Sequence, residues 1–219
     1  MILVLDRVLE RSELSAMRLS AERLEFGDGK STAGRYARSV KANAQAVSSP
    51  DLEAIETKVM RKLAANPVFQ SAARPRAMSK LIVSRYRIGQ TYGLHVDDAL
   101  MSGVRTDLSF TLFLSEPDEY DGGALIIEET SEERAFRPAA GDLLLYPSTT
   151  LHRVEPVTRG VRYAVVGWVQ SWIRSAEKRE ILFDLDRSVE AAHGIEGQRV
   201  LFETLAKTRS NLVRMWAGD

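Results

Sequence analysis

One of only three histidines in the chain, His95, lies two residues before an aspartate, Asp97, in the segment YRIGQTYGLHVDDAL (residues 86–100). On a β-strand, positions i and i+2 point to the same side, so the imidazole and the carboxylate would converge on one point. Such a pair also arises by chance, and a surface histidine or a hydrogen-bonded core histidine is the commoner explanation. The pair alone therefore does not establish a site.

A second histidine, His152, lies on a later predicted strand in DLLLYPSTTLHRVEP. Two histidines and one carboxylate from separate β elements can occupy one face of an octahedral metal, as in non-haem Fe(II) oxygenases, because three positions then stay open for cosubstrate and O2. The chain has no cysteine, which excludes a disulfide, a thiolate nucleophile and a zinc-thiolate site. A catalytic zinc with three protein ligands is still allowed by ligand type.

Arg162 follows His152 by ten residues, on the predicted strand VRYAVVGWVQ. A hairpin turn at VTRG would fold this strand back beside that of His152 and direct the guanidinium into the same site. A guanidinium buried there needs an anionic partner and can bind a carboxylate through two parallel hydrogen bonds. Tyr86, on an earlier strand, could donate a hydrogen bond to the same anion. The alternative for Arg162 is a surface ion pair with Glu155 or another acidic residue.

The elements before residue 80 are predicted to be mainly helical. ILVLDRVL indicates a first strand, and SELSAMRLSAERLEF has helical spacing with Ser12 as the N-cap. GDGKSTAGRYARS is polar and contains glycines, which predicts a loop. SSPDLEAIETKVMRKLAANPVF predicts a second helix that begins near Pro50 and ends at Asn66.

From about residue 80 the hydrophobic period changes to that of β-strands. In TDLSFTLFL the alternation places one set of residues on an apolar face and leaves Asp107, Ser109 and Thr111 opposite; the apolar set is Leu108, Phe110, Leu112 and Leu114. Further strands are predicted at KLIVSRYRI, around His95, and at ALIIEE, RAFRP, DLLLYP, HRVEP and VRYAVVGWVQ. Roughly eight short strands at this close spacing predict a sandwich or double-sheet jelly roll.

Helical spacing returns after residue 172. Two amphipathic helices are predicted, SAEKREILFDLDRSVEAAHG and EGQRVLFETLAKTRSNLVRMWAG. Their apolar stripes are Ile181, Leu185 and Val189 on the first, and Leu201, Leu205, Leu212 and Trp216 on the second. Packing on the sheet explains these stripes, and so does a homodimer or partner face. His193 is predicted to lie at a helix end, facing solvent.

The overall composition gives no sign of a nucleic-acid or membrane partner. The chain has 219 residues, 44% of them hydrophobic, and a formal net charge of zero. These values permit a full core and give no indication of binding to nucleic acid or to an anionic membrane. The first residues lack the basic region and long apolar run of a secretory signal, and no apolar stretch is long enough to span a bilayer. We expect a cytoplasmic protein.

The order H-x-D, a distal histidine and an arginine ten residues later resembles the Fe(II)/2-oxoglutarate-dependent dioxygenases. Within that class the chain is similar to the bacterial PKHD-type hydroxylases, which are related to prolyl and lysyl hydroxylases and often associated with iron uptake. The segments that carry this resemblance span nearly the whole chain; they are STAGRYARSVKANAQ, YRIGQTYGLHVDDAL, RTDLSFTLFLSEPDEYDGGALIIEE, PAAGDLLLYPSTTLHRVEPVTRGVRYAVVGWVQS and EILFDLDRSVEAA.

The resemblance implies a mainly β fold with flanking helices, whose core is a double-stranded β-helix of the jelly-roll or cupin-like kind. We expect residues 1–79 to supply a strand and helices that pack on this core. Residues 80–173 would form the double-stranded β-helix itself. Residues 174–219 would form a C-terminal helical extension.

The resemblance also implies roles for individual residues. His95, Asp97 and His152 match the iron ligands. Arg162 matches the residue that binds the distal carboxylate of 2-oxoglutarate, and Tyr86 matches an assisting tyrosine. The implied reaction hydroxylates a substrate while 2-oxoglutarate and O2 yield succinate and CO2, with L-ascorbate keeping the iron ferrous. Halogenating relatives replace the carboxylate ligand with a small residue, so Asp97 favours hydroxylation.

The identity of the substrate does not follow from the resemblance. Residues 98–104, beside the predicted metal, form a shorter segment than the family leads us to expect, and this segment would shape substrate access. A peptidyl side chain, a siderophore or another small metabolite all remain open. Two other functions use the same ligands: a cupin-like zinc or manganese enzyme, and a non-enzymatic sensor of iron or 2-oxoglutarate.

Overall fold

Two packed β-sheets form the centre of the fold in the computed structural model of this protein, which describes residues 1–32, 34–101 and 103–218. The strands are β1 (Leu3–Leu5), β2 (Phe26–Asp28), β3 (Lys41–Ala42), β4 (Ala44–Ala46), β5 (Pro75–Met78), β6 (Ile82–Tyr86), β7 (Thr91–His95), β8 (Leu100–Met101), β9 (Val104–Arg105), β10 (Leu108–Phe113), β11 (Tyr120–Gly122), β12 (Leu125–Glu128), β13 (Glu133–Phe136), β14 (Leu143–Pro147), β15 (His152–Val154), β16 (Val157–Gly160) and β17 (Arg162–Ser171). The helices are α1 (Arg11–Arg23), α2 (Pro50–Ala65), α3 (Pro67–Ala73), α4 (Ala176–His193) and α5 (Arg199–Trp216).

The two sheets are built from antiparallel pairs. The larger sheet has the order β1-β14-β10-β17-β6-β4-β2, with β5 paired to the end of β17. The smaller sheet has the order β13-β12-β15-β7-β3. An apolar layer joins them, with Phe113 and Leu144 from the larger sheet against Leu125, Ile127 and Val154 from the smaller one. This arrangement agrees with the predicted mainly β, double-sheet fold.

The central strand β10 has one apolar face and one polar face, and both faces are buried. Leu108, Phe110 and Leu112 belong to the main apolar core, which the first three helices cover through residues such as Met17, Leu63 and Phe69. The alternate residues of β10 are Ser109 and Thr111, which are also buried. Because side chains alternate along a strand, these two hydroxyls face the smaller sheet. The predicted alternation is confirmed, and its polar side faces an interior rather than solvent.

The N-terminal helices begin at polar caps that the sequence only partly reveals. The N-cap of α1 is Glu10, which forms a reciprocal capping box with Glu13, so the predicted cap at Ser12 is wrong. Helix α2 begins after Ser49 and ends at Asn66, as predicted. The Asn66 side chain then accepts a hydrogen bond from the backbone N–H of Phe69 and starts α3, a helix that the sequence did not predict.

The two C-terminal helices form as predicted, and the covered face of α4 differs from the predicted stripe at one residue. Leu182 and the guanidinium of Arg179 are buried, and Arg179 donates to the carbonyls of Ile173 and Arg174 at 2.8 and 2.7 Å. Ile181, placed by the sequence on the apolar stripe, is 51% exposed. Leu185 and Val189, the other members of the predicted stripe, are partly buried, so the stripe prediction is wrong only at Ile181.

The predicted hairpin at VTRG is wrong. These residues form strand β16, which pairs with β11 through Gly160 and Tyr120. The following strand, β17, lies in the larger sheet between β10 and β6, whereas β15 with His152 lies in the smaller one. The chain therefore crosses from one sheet to the other between His152 and Arg162. A local turn pattern could not show this, because β16 is fixed by a partner about 40 residues earlier in the sequence.

The segment predicted as a loop, GDGKSTAGRYARS, contains two short 3₁₀ turns at Gly29–Thr32 and Ala37–Val40. Its residue 33 lies outside the described residues. No helix in the described parts of the chain combines the length and apolar character needed to cross a bilayer.

Candidate metal centre

Three potential metal ligands converge in a cavity at the adjacent ends of β7 and β15. His95 ends β7 and His152 begins β15, and the two residues are direct cross-strand partners. Asp97 lies just beyond the strand end, with its Oδ1 4.0 Å from His95 Nε2 and 3.8 Å from His152 Nε2. The three donor atoms lie within 4.8 Å of one another, and this is the one such cluster among the described residues. The predicted histidines and aspartate therefore meet in space.

Backbone carbonyls orient both imidazoles. His95 Nδ1 lies 2.7 Å from the carbonyl oxygen of Gly93, and His152 Nδ1 lies 3.0 Å from that of Thr150. A carbonyl oxygen only accepts, so each Nδ1 carries the proton and each Nε2 presents its lone pair to the cluster. Burial, reinforced by the neighbouring His152, lowers the pKa of His95 to about 4. His95 is therefore neutral near pH 7, as a metal ligand must be.

Asp97 is held by a serine that the sequence did not single out. Ser109 Oγ donates to Asp97 Oδ2 at 2.5 Å and lies 2.8 Å from Ser148 Oγ. The carboxylate is therefore fixed through one oxygen, and the other oxygen, Oδ1, faces the two imidazoles. Ser109 belongs to the polar side of the β10 alternation, so the sequence did place it opposite the apolar core, but nothing local pointed it at Asp97.

Arg162 and Tyr86 lie in the same cavity and come from the opposite sheet. They are cross-strand partners on β17 and β6, and both line the cavity that holds the three candidate ligands. The Arg162 guanidinium carbon is 5.3 Å from the centre of the Tyr86 ring. Burial raises the pKa of Tyr86 to about 12, so its hydroxyl stays protonated and can donate.

Arg162 has no anionic partner among the described residues. It is 2% exposed, and no described carboxylate oxygen lies within the 4.0 Å ion-pair distance of its nitrogens. Its Nε has no hydrogen-bond partner within the described parts of the chain. The ion pair with Glu155, the alternative raised by the sequence, does not form. A buried guanidinium without an anion is costly, and its position favours a ligand that supplies one.

The residues present fit a facial site for a divalent metal. Two imidazole nitrogens and one carboxylate oxygen converge from one side, and the cavity leaves the other side open. This donor set is typical of non-haem Fe(II) oxygenases. The chain holds no thiolate that would indicate a closed structural zinc site.

Comparison with known proteins decides the family. Residues 81–170 match the 2OG-Fe(II) oxygenase superfamily. A PKHD-type hydroxylase of Synechococcus elongatus is 48% identical over 99% of this chain and 100% of its own length. A PKHD-type hydroxylase of Maricaulis maris is 45% identical over all of both chains. The chain belongs to the PKHD-type hydroxylase family. The 2OG-Fe(II) oxygenase match implies Fe2+ as cofactor and 2-oxoglutarate and O2 as cosubstrates.

Solved structures support the fold of this PKHD-type family member. A Pseudomonas putida prolyl-4-hydroxylase aligns with a TM-score of 0.52 and 19% identity, covering 78% of this chain and 92% of that one. A Trichoplax adhaerens prolyl hydroxylase, solved with a peptide fragment of the hypoxia inducible factor oxygen degradation domain, aligns with a TM-score of 0.55 and 18% identity over 83% and 86%. These likenesses confirm the jelly-roll prediction.

Aromatic side chains that the sequence did not single out pack against the candidate metal ligands of this PKHD-type family member. The Tyr92 ring stacks on His95 with centroids 3.6 Å apart and planes 16° apart. The Tyr146 ring meets His152 edge-on at 5.2 Å. Burial raises the pKa of both tyrosines, so both stay neutral. Each imidazole is thus held by a carbonyl at its edge and by an aromatic ring against it.

Lys41 is the other functional candidate that the sequence missed. It lies on β3, opposite Tyr92 in the smaller sheet, and its side chain lines the cavity of the metal centre. The ammonium is 4.7 Å from the Tyr92 ring centre and donates to Thr32 Oγ1 at 3.2 Å. Burial lowers the pKa of Lys41 to about 8, although Asp97 opposes this shift. The sequence around Lys41 is polar, so nothing in it indicated that this lysine is buried.

The segment after Asp97 forms one side of the cavity mouth. Strands β8 and β9 make a short hairpin there, and residue 102 lies outside the described residues. Asp98 lies so close to Gly34 that a Cβ on this glycine would be 2.4 Å from the Asp98 Oδ1. A side chain at position 34 would therefore displace the exposed carboxylate of Asp98 at the mouth.

Proposed function

We propose that His95 Nε2, His152 Nε2 and Asp97 Oδ1 hold Fe(II) in this family member. The observation that carries the proposal is the convergence of these three donor atoms within 4.8 Å at a cavity. The orientation of both imidazoles by carbonyls and of the carboxylate by Ser109 supports it, because the donors are arranged before a metal arrives. Membership of the 2OG-Fe(II) oxygenase superfamily points to iron rather than zinc or manganese.

We further propose that Arg162 and Tyr86 bind the distal carboxylate of 2-oxoglutarate. Arg162 is a buried cation with no carboxylate partner among the described residues, and it lies in the same cavity as the candidate ligands. A carboxylate can accept parallel hydrogen bonds from a guanidinium and one more from a neutral tyrosine. The keto-acid end of the molecule would then lie toward the metal ligands.

With iron, 2-oxoglutarate and O2 bound, the site supplies an oxidant that hydroxylates a C–H bond while succinate and CO2 form. The protein's own residues orient the reactants and exclude water. Leu125, Val154 and Val166 line the cavity between the sheets and give it apolar walls. Asp97 fills the ligand position that halogenating relatives leave to a halide, which favours hydroxylation.

We further propose a substrate class, a reductant, a cellular location and a division of the chain. The substrate is a peptidyl side chain or a small metabolite such as a siderophore, and ascorbate keeps the iron ferrous. We propose a cytoplasmic location. We also propose a division of the chain into an N-terminal segment (residues 1–79), a β-helix core (80–173) and a C-terminal helical extension (174–219).

The C-terminal helices leave apolar side chains exposed, such as Val200 at 76% and Met215 at 66%, which favours a homodimer through that face.

Turnover of 2-oxoglutarate tests the proposed function. Purified protein with Fe(II), O2 and ascorbate should release CO2 from 2-oxoglutarate slowly even without substrate, and His152→Ala should abolish this release. Equal release by the His152→Ala variant would refute the iron site. Metal-dependent turnover of another compound without 2-oxoglutarate would instead indicate a zinc or manganese enzyme. Binding of 2-oxoglutarate without O2 consumption across a substrate screen would indicate a sensor.

A further inference from the structure

We propose that Lys41 binds an anionic group of the substrate, so that this protein hydroxylates molecules carrying a carboxylate close to the C–H bond that reacts. The inference rests on the proposed function and adds a substrate class to it. It assigns Lys41 as a positioning and specificity residue, separate from the iron ligands and from the 2-oxoglutarate site.

The Lys41 ammonium is buried without an anion. The residue is 5% exposed, and no described carboxylate oxygen lies within the 4.0 Å ion-pair distance of Nζ. Its hydrogen-bond acceptor is Thr32 Oγ1, and the face of Tyr92 lies beneath it. An ammonium has three N–H donors, and burying its charge without a counter-ion is strongly unfavourable. The site is therefore incomplete until an anion enters.

The cavity contains a second buried cation, on the opposite side. Arg162 projects from β17 of the larger sheet beside Tyr86, whereas Lys41 projects from β3 of the smaller sheet beside Tyr92. One carboxylate of 2-oxoglutarate is assigned to Arg162, and the other belongs to the keto-acid end at the metal. Neither carboxylate of the cosubstrate is then left for Lys41.

The charges of the loaded site lead to the same conclusion. Fe(II), Arg162 and Lys41 together carry four positive charges, whereas the two carboxylates of 2-oxoglutarate and Asp97 carry three negative ones. Asp97, Asp28 and Asp98 act on the Lys41 ammonium electrostatically, but none of these carboxylates forms an ion pair with it. Asp98 also lines the cavity, but it is exposed at the mouth and packs against Gly34. A substrate carboxylate would neutralise the charge of Lys41. A neutral substrate would instead bury the ammonium without a counter-ion, which is energetically unfavourable.

Trp168 adds a second donor that lacks an acceptor. Its indole lines the same cavity from β17, is 8% exposed, and its Nε1 has no hydrogen-bond partner among the described residues. An indole N–H can only donate. On the Lys41 side, the Thr32 hydroxyl donates a hydrogen bond to Gln45 Oε1 at 2.5 Å, so its oxygen lone pairs are free to accept from the ammonium. The Lys41 ammonium and the Trp168 indole N–H can therefore each donate a hydrogen bond to an oxygen atom of the substrate.

The first test locates an anion directly. Crystals of the protein loaded with Fe(II) and 2-oxoglutarate under nitrogen are soaked in bromide, and the anomalous signal of bromide is mapped. We expect a peak within hydrogen-bond distance of Lys41 Nζ in the wild type and in Lys80→Met, a control at an exposed lysine. The peak should be absent in Lys41→Met. No peak in the wild type, or a peak that persists in Lys41→Met, contradicts the inference.

The affinity for 2-oxoglutarate separates this inference from the proposed function. We expect Lys41→Met to bind 2-oxoglutarate within about twofold of the wild type, because the cosubstrate uses Arg162. A loss as large as that of an Arg162 variant would make Lys41 a cosubstrate ligand and overturn the inference while leaving the oxygenase intact. Failure of the wild type itself to bind 2-oxoglutarate would instead refute the proposed function.

The last test uses substrate once a screen of carboxylates and their neutral amides has found one. We expect the carboxylate to be hydroxylated in preference to its amide. Lys41→Met should raise its KM by about tenfold or more, since a charge-assisted hydrogen bond is lost, and Lys41→Arg should recover part of this loss. A neutral substrate that Lys41→Met turns over as well as the wild type refutes the inference.

Discussion

Ser109 fixes one oxygen of Asp97 and leaves the other turned toward the imidazoles of His95 and His152. Its hydroxyl donates to Asp97 Oδ2 at 2.5 Å, while Oδ1 faces the Nε2 atoms of His95 and His152 at 4.0 and 3.8 Å. The serine comes from the larger sheet and the two histidines from the smaller one. The candidate centre is thus held in shape by both sheets together.

Removing this hydroxyl should loosen the centre without removing a ligand. We expect Ser109→Ala to weaken Fe(II) binding by about 10- to 100-fold, which is the usual cost of losing a hydrogen bond to a metal ligand. The measurement is an anaerobic Fe(II) titration. Ser188→Ala is the matched control, because this exposed hydroxyl bonds only to its own helix through the Asp184 carbonyl. Equal iron affinity in Ser109→Ala and the wild type would show that Asp97 does not depend on the serine.

Arg162 should determine the affinity for 2-oxoglutarate and leave that for iron unchanged. We expect Arg162→Met to raise the Kd of 2-oxoglutarate by about 30-fold or more, because a buried charge-assisted pair loses one partner. Isothermal titration of the metal-loaded protein measures this. Arg159→Met is the control, since Arg159 lies three residues away but pairs with Asp121 on the surface. An unchanged Kd of 2-oxoglutarate in Arg162→Met would show that the cosubstrate does not bind at Arg162.

The buried Lys41 should make the ligand-free protein less stable near neutral pH. Its pKa falls from 10.5 in the unfolded chain to about 8 in the fold. The unfolded chain therefore binds more protons between these values, and stability rises with pH across that window. Below pH 8 the full cost, about 3 kcal/mol, is present.

Urea unfolding from pH 7 to pH 11 checks this prediction for Lys41. Without ligand, Lys41→Met should be more stable than the wild type at pH 7, and the difference should shrink as the pH rises from 8 to 10.5. Lys80→Met, at an exposed position, should show no such trend. A constant difference between the Lys41→Met variant and the wild type across this range would mean that the ammonium is not buried at a cost.

Asp186 should hold the C-terminal helices to the rest of the fold. It accepts hydrogen bonds from Arg74 at 2.6 Å and from Arg209 at 2.5 Å. The side chain of Arg74 is only 10% exposed. We expect Asp186→Ala to cost about 3 to 5 kcal/mol in urea unfolding, because it leaves a buried guanidinium unpaired. Asp184→Ala, an exposed control on the same helix, should cost far less.

Iron binding separates stability from function in the Asp186→Ala variant. The proposed metal centre lies in the double sheet, and Asp186 lies outside it on α4. Fe(II) affinity of the folded variant should therefore match that of the wild type. Loss of iron binding in folded Asp186→Ala would contradict the proposed separation of residues 174–219 from the catalytic core.

Local sequence patterns were sufficient to predict the elements whose boundaries and faces depend on nearby residues. The alternation of β10 placed Ser109 opposite Leu108 and Phe110, and Pro50 correctly marked the start of α2. The spacing of His95, Asp97, His152 and Arg162, with the family resemblance, selected residues that do line one cavity. These features depend on short-range periodicity or on residue chemistry, which a sequence displays directly.

Long-range pairing was beyond those patterns. VTRG looked like a turn, but it is a strand because β11 supplies its partners, and this placed His152 and Arg162 on opposite sheets. Nothing in the sequence singled out Lys41, which lines the cavity because β3 pairs with β7. In each case a segment distant in sequence decides the environment of the residue.

The visible spectrum of the anaerobic protein with Fe(II) and 2-oxoglutarate tests the central claim most directly. Chelation of the metal by the keto acid gives a weak charge-transfer band, and we predict this band in the wild type and in the Arg159→Met control. His95→Ala and His152→Ala should lack it, and Arg162→Met should show it only at much higher 2-oxoglutarate concentration. A wild-type protein without the band, or a His95→Ala variant that keeps it at full strength, would contradict the account.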